Sequence, residues 1–105
     1  MQQEFAVVYI TAPTLEKAHQ LASALVEARL AACINIVPGI HSHYIWKGEV
    51  CSESELLLVV KTRLSHLGGI EALAVEITGY EVPEVIAMPI VAASDGYMRF
   101  LGESC

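Results

Sequence analysis

The 105-residue chain has no apolar run approaching the roughly 20 residues a membrane-spanning helix needs, so it is not expected to cross a bilayer. Its opening, Met1-Gln2-Gln3-Glu4, lacks the basic segment that begins a signal peptide, and the expected compartment is the cytoplasm. Basic residues are scarce: six against twelve acidic ones, for a net charge of −6 at pH 7. Neither a nucleic-acid backbone nor an anionic membrane surface attracts such a chain, and both are excluded as partners. Cysteine is limited to Cys33, Cys51 and Cys105, an odd number with no C-x-x-C pair. That usage suits a reducing compartment and small buried or terminal roles. Glycine-rich phosphate loops, G-x-S-x-G and H-E-x-x-H are all missing. No histidine lies near Cys33 in the sequence, which argues against a Cys-His nucleophile. No internal repeat, linker or low-complexity tract divides the chain.

Apolar residues are abundant, at 54% of the sequence, whereas charged residues make up 17%. Residues 1–105 are expected to form one domain with a modest core, and a domain this apolar hides part of its surface in a partner. The pattern centres on one long hairpin from Leu30 to Thr62 with its turn at Lys47-Gly48. Counting outward from that turn sets Trp46 opposite Glu49, Ile45 opposite Val50, Tyr44 opposite Cys51 and Ser42 opposite Glu53. Leu56-Leu57-Leu58-Val59-Val60 is apolar without interruption, as in a strand buried on both faces. Pro38-Gly39 breaks the first arm, because proline cannot donate to a ladder; this arm is an edge or carries a bulge. Both arms are longer than one small sheet needs, so an overhang must pair with something else.

Around the hairpin the periodicity is regular. Phe5 to Ile10 reads as a central strand. Thr14 is placed to cap a helix whose stripe is Ala18, Leu21, Ala22 and Leu25, with His19 off the stripe and solvated. Ser65 is expected to cap a second helix with stripe Leu67, Ile70, Leu73, Ala74 and Ile77, which Gly79 ends in a left-handed turn. Gly68-Gly69 weakens its first turn by roughly 1 kcal/mol per glycine. After the loop Tyr80–Glu84, Val85 to Val91 reads as an edge strand because of Pro89, and Asp95 is expected to cap a short C-terminal helix. The order β-α-β-β-α-β predicts an α+β, ferredoxin-like sandwich with sheet order 4-1-3-2 and a short C-terminal helix. Both helices cover one face, leaving a largely apolar face uncovered.

Lys61, at the end of the buried run, either forms a rim ion pair or reaches into a pocket. Glu81 and Glu84 are its candidate partners, with Tyr80 and Trp46 as possible walls.

Four stretches then stand out together: Leu30-Ala31-Ala32-Cys33-Ile34-Asn35-Ile36-Val37-Pro38-Gly39, Tyr44-Ile45-Trp46-Lys47-Gly48-Glu49, Leu58-Val59-Val60-Lys61-Thr62 and Tyr80-Glu81-Val82-Pro83-Glu84. With Thr11-Ala12-Pro13, they make the chain resemble the CutA family of divalent-cation tolerance proteins over nearly its whole length. The resemblance implies a cytosolic homotrimer of ferredoxin-like subunits, similar in architecture to PII signalling proteins. It also implies a link to tolerance of copper and other divalent metals, with no established reaction and no obligatory cofactor. The expected ligand cleft lies between subunits and involves Trp46, Lys61, Tyr80 and Glu84. A PII-like regulator binding a small anion, and a small enzyme using Lys61 with Glu84, are the competing readings. Ile10 and Ile77-Thr78-Gly79 stand where some relatives carry a cysteine and a His-Pro. A copper or zinc ion is therefore expected instead at His41 and His43, which lie two apart on one side of a strand, about 6.5–7 Å from each other. Ser52 and Ser54 face them, so the chain alone falls short of a closed four-ligand site.

Overall fold

The computed structural model describes residues 4–105. Strand β1 (Phe5–Ala12) leads to helix α1 (Leu15–Glu27), then to the hairpin of β2 (Cys33–Trp46) and β3 (Glu49–Arg63). A 3₁₀ turn (Leu64–His66), helix α2 (Leu67–Thr78), strand β4 (Val85–Pro89) and helix α3 (Asp95–Ser104) complete the order. All strand pairs are antiparallel, in the order β2-β3-β1-β4, which is the expected arrangement read from the other edge.

The hairpin has the register counted from its turn, from Trp46 opposite Glu49 to Ser42 opposite Glu53. Lys47 and Gly48 both take positive φ, 52° and 82°, the backbone that a two-residue turn between twisted strands requires. At Pro38-Gly39 the register slips by one residue between Val37 and Ile40. Because side chains alternate strictly, this bulge exchanges the faces of β2. Ile34 and Ile36 lie with the core, but beyond the bulge it is Ser42, Tyr44 and Trp46 that share a face with Glu53 and Glu55.

The core lies between the sheet and the two longer helices. Val8, Ile10, Leu58 and Val60 from the central strands meet Leu21 and Leu25 of α1 and Ile70 and Ala74 of α2, all fully buried. Thr14 Oγ1 accepts the Lys17 amide at 3.1 Å and starts α1 as expected. Gly79, at φ 79°, ends α2. Gly69 has a packing reason, since a Cβ there would come within 3.1 Å of the Leu30 side chain.

Four expectations need correction. Ser65 does not cap α2: it sits inside the 3₁₀ turn, and the helix starts at Leu67 with no side-chain cap. The cap of α3 is Ser94, whose Oγ accepts the Tyr97 amide at 3.2 Å, while Asp95 occupies the first turn, where its charge suits the helix dipole. Strand β4 stops at Pro89 rather than Val91; the Ile90 amide makes one further bond, to the carbonyl of Phe5 at 3.0 Å, where β1 begins. Finally, β3 is not buried on both faces within one chain: Leu58 and Val60 are sealed by the helices, but Leu57 and Val59 on the opposite face are half-exposed. At its end, Arg63 Nε and Nη2 donate to the carbonyls of Cys105 and Gly102 at 2.8 and 2.9 Å, tying down the C-terminus of α3.

Candidate functional site

Strand β1 ends at Ala12, opposite Leu56, whereas the hairpin runs on to Lys47-Gly48. The loop from Gly79 to Glu84 occupies the space beside that overhang, and between the two lies a groove of about 760 Å³. Tyr44, Trp46, Glu53 and Glu55 line it from the hairpin, Tyr80 to Glu84 from the loop, and Thr11 from the end of β1.

Its anchor is a hydrogen bond between distant parts of the chain: the Tyr80 hydroxyl donates to Glu55 Oε2. Tyr80 is aimed by a local relay. The Thr78 hydroxyl donates to the Ala74 carbonyl at 2.6 Å and accepts the Tyr80 amide at 3.2 Å, while Gly79 reverses the backbone. Glu55 is only 8% exposed, at the point where the polar overhang meets the apolar core strand. Burial, and then the bond to Glu55, raise the Tyr80 phenol above its ordinary pKa of 10.0. Nearer the tip, hydrogen bonding to Glu53, with a contribution from desolvation and that carboxylate's charge, pushes Tyr44 up to about 12. Tyr80 is thus held protonated, as a donor to Glu55. At the outer end, the Lys47 ammonium lies 5.6 Å from the centre of the Trp46 ring and 3.6 Å from Glu81 Oε1.

Of the residues read from the sequence, Trp46, Tyr80, Glu84 and one of the two histidines, His43, come together in this groove. Lys61 does not. It lies six residues beyond Glu55 along β3, roughly 20 Å away, and donates to Asn35 Oδ1 and to the Val59 carbonyl. Within one chain Lys61 therefore does not meet Glu81 or Glu84, which sit at the other end of the sheet; Glu81 meets Lys47 instead. Sequence reasoning missed Glu53, Glu55 and Tyr44. The available signal was their spacing: Glu49, Glu53 and Glu55, with Cys51 between, fall at alternate positions on the face the counted register assigns to Tyr44 and Ser42. His41 and His43 face Ser54 and Ser52, and His41 Nδ1 lies 3.5 Å from Ser54 Oγ. Among the described residues, no three His, Cys, Asp or Glu side chains converge as a metal site. No helix among them is long and apolar enough to cross a membrane.

Comparison with known proteins adds to this geometry. Residues 6–104 match the family described as CutA1 divalent ion tolerance protein. The chain is 46% identical over 98 residues to the divalent-cation tolerance protein CutA of Thermus thermophilus, covering 93% of this chain and 95% of that protein. It is 50% identical over 101 residues to the chloroplastic protein CutA of Arabidopsis thaliana, covering 93% of this chain but spanning only 54% of that longer relative. Among solved structures, CutA1 from Oryza sativa superposes with a TM-score of 0.92 at 42% identity, covering 97% of this chain and 94% of that one.

Proposed function

The chain belongs to the CutA1 divalent ion tolerance protein family, and from that premise we propose that it acts as a non-enzymatic homotrimer in the cellular response to divalent metals, copper foremost. The observation that carries the assembly is the overhang. Beyond Ala12 opposite Leu56, residues 40–55 form a two-stranded ribbon that pairs with no other strand among the described residues, and its tip exposes Ile45 and Val50 at 72% and 81%. A lone ribbon of this kind is marginal in water and invites pairing. Pairing of the ribbons across three subunits occupies those edges, and the same contacts bring Leu57, Val59 and the rest of the uncovered face against neighbouring copies. Three unpaired cysteines accord with a cytoplasmic setting.

In this reading the metal is the protein's cargo. His41 and His43 are the residues of this chain that would take copper or zinc, because neutral imidazole suits both ions. Two imidazoles do not close a site, so a neighbouring subunit would supply the remaining ligands. Titration calorimetry with copper and zinc tests this assignment. Binding that disappears in the His41→Ala/His43→Ala double variant is the expected result; binding that survives it places the metal elsewhere. The groove's carboxylates argue against a PII-like anion site there, since Glu53, Glu55, Glu81 and Glu84 would repel the ligand. Within one chain Lys61 lies apart from Glu84 and donates to Asn35, so the enzymatic reading would need a neighbouring subunit to form its pair.

A further inference from the structure

Helix α3 is fastened to the fold at its far end, and we propose that it is a strap that swings open about residues 91–94. Opening uncovers the Cys33 thiol while the sheet and helices α1 and α2 stay folded. The strap lies on the sheet face that those two helices leave free. Leu58 and Val60 point toward the helices, so alternation turns Val59, Lys61 and Arg63 the other way, together with Cys33, which pairs with Lys61.

Three observations make α3 a separable unit. Its N-terminal connection is bare. The last backbone bond before the helix runs from the Ile90 amide to the Phe5 carbonyl; Val91, Ala92 and Ala93 make none, and Val91 is 92% exposed. Its far end is clasped by one side chain. Arg63 donates through Nε and Nη2 to the carbonyls of Cys105 and Gly102, and its guanidinium is set against the Phe5 ring, 5.0 Å from the centre. Between connection and clasp, Leu101 is the one fully buried residue of α3.

The helix also has little to hold it together unaided. Its ten residues fall short of the roughly 12–15 at which isolated helices become even marginal in water, and Gly96 and Gly102 among them are poor helix formers. It therefore unwinds as it leaves the sheet. An element ordered by one buried side chain and one clasp opens at a lower free energy than a core sealed by Leu21, Leu25 and Ile70.

Cys33 reports the opening. It is half-buried, and the Tyr97 phenol, in the first turn of α3, stands against it. Burial, and then that thiol, raise the phenol above its ordinary pKa of 10.0. With the strap lifted, Tyr97 departs and the thiol meets solvent.

The strap belongs to one chain and requires neither the trimer nor the histidine metal site. The test labels the unmodified protein with iodoacetamide under native conditions and follows Cys33 and Cys51 separately by peptide mass spectrometry. Cys33 is expected to react in proportion to reagent, more slowly than in the urea-unfolded chain and far faster than the chain unfolds. Arg63→Ala, which removes the clasp, should raise that rate roughly tenfold or more. Gly96→Ala, whose added methyl meets open space and favours the helix, should slow it severalfold. Cys51, out on the ribbon, should keep its rate in both variants. Circular dichroism and urea unfolding report on the core, and sedimentation on assembly. Labelling of Cys33 only as fast as global unfolding would mean that α3 opens with the core, and labelling as fast as in urea that it is never closed. Either result overturns the proposal, as does a rise in Arg63→Ala that Cys51 shares equally. The Gly96→Ala arm stands even where Arg63→Ala fails to fold, and an unchanged Cys33 rate there overturns the proposal too.

Discussion

From Leu56 to Arg63, strand β3 lies between β1 and β2 beneath two helices, and Leu58 and Val60 are fully buried. From Glu49 to Glu55 the same strand pairs with β2 alone among the described residues, and Val50 is left in solvent. One hairpin thus contains a stretch stabilised by its own chain and a stretch that its own chain leaves unfinished. The inner stretch carries the conformational entropy cost of folding through apolar burial. The outer stretch has little such burial, so its order has to come from a loop, a ligand or another copy. Glu55 stands at the boundary, where the Tyr80 bond ties the overhang to the loop, and at the tip Lys47 reaches Glu81 of the same loop.

The difference is broken most severely from the inner side. Leu58→Ala opens a cavity under α1 and α2 and should lower stability by about 2–5 kcal/mol, read from urea unfolding at fixed protein concentration. A loss well under that range would mean the core is looser than its burial implies. On the opposite face of the same strand, Val59→Asp or Leu57→Asp should leave the helix-packed core in place yet abolish assembly and depress solubility. Sedimentation of the variants alongside the unmodified protein checks this, and unchanged boundaries would show that the uncovered face has no partner. Thr14→Ala removes the cap of α1, far from the overhang, and should cost about 1 kcal/mol without altering assembly.

A smaller effect follows from titration. The Tyr80 phenol is raised in the folded state, so the folded chain holds that proton more tightly than the unfolded one. The stability it contributes is fully present below the ordinary phenol pKa of 10.0 and is lost as pH rises beyond it toward the folded value. Unfolding measured at about pH 9 and about pH 11 should show the decline, and Tyr80→Phe, which cannot ionise, should reduce its steepness. Equal slopes in the two proteins would place the alkaline sensitivity elsewhere.

How much of this could be read from the residues depends on the distance over which each feature is decided. The turn at Lys47-Gly48, the hairpin register, the Thr14 cap and the Gly79 stop are settled within a few residues, and alternation or backbone preference exposes them. The sheet order followed from the order of elements, and Pro38 and Pro89, which suit edges or bulges, agree with it. The site was less legible. Tyr80 and Glu55 are 25 residues apart, and nothing local to either announces the other. Lys61 was paired with the wrong end of the sheet because a strand's last residue and a loop's charges look adjacent until the strand's length separates them. The missed Ser94 cap differs: serine and aspartate side by side offer equal donors' partners, and only backbone geometry chooses.

The claim that one half of the hairpin is completed by other copies is tested most directly by sedimentation equilibrium of the unmodified protein across a wide concentration range. The account predicts a single species of three times the 11.4 kDa chain mass, persisting on dilution. A soluble species of 11.4 kDa that stays folded would contradict it, because the overhang would then be stable with its edges and apolar tip open to water.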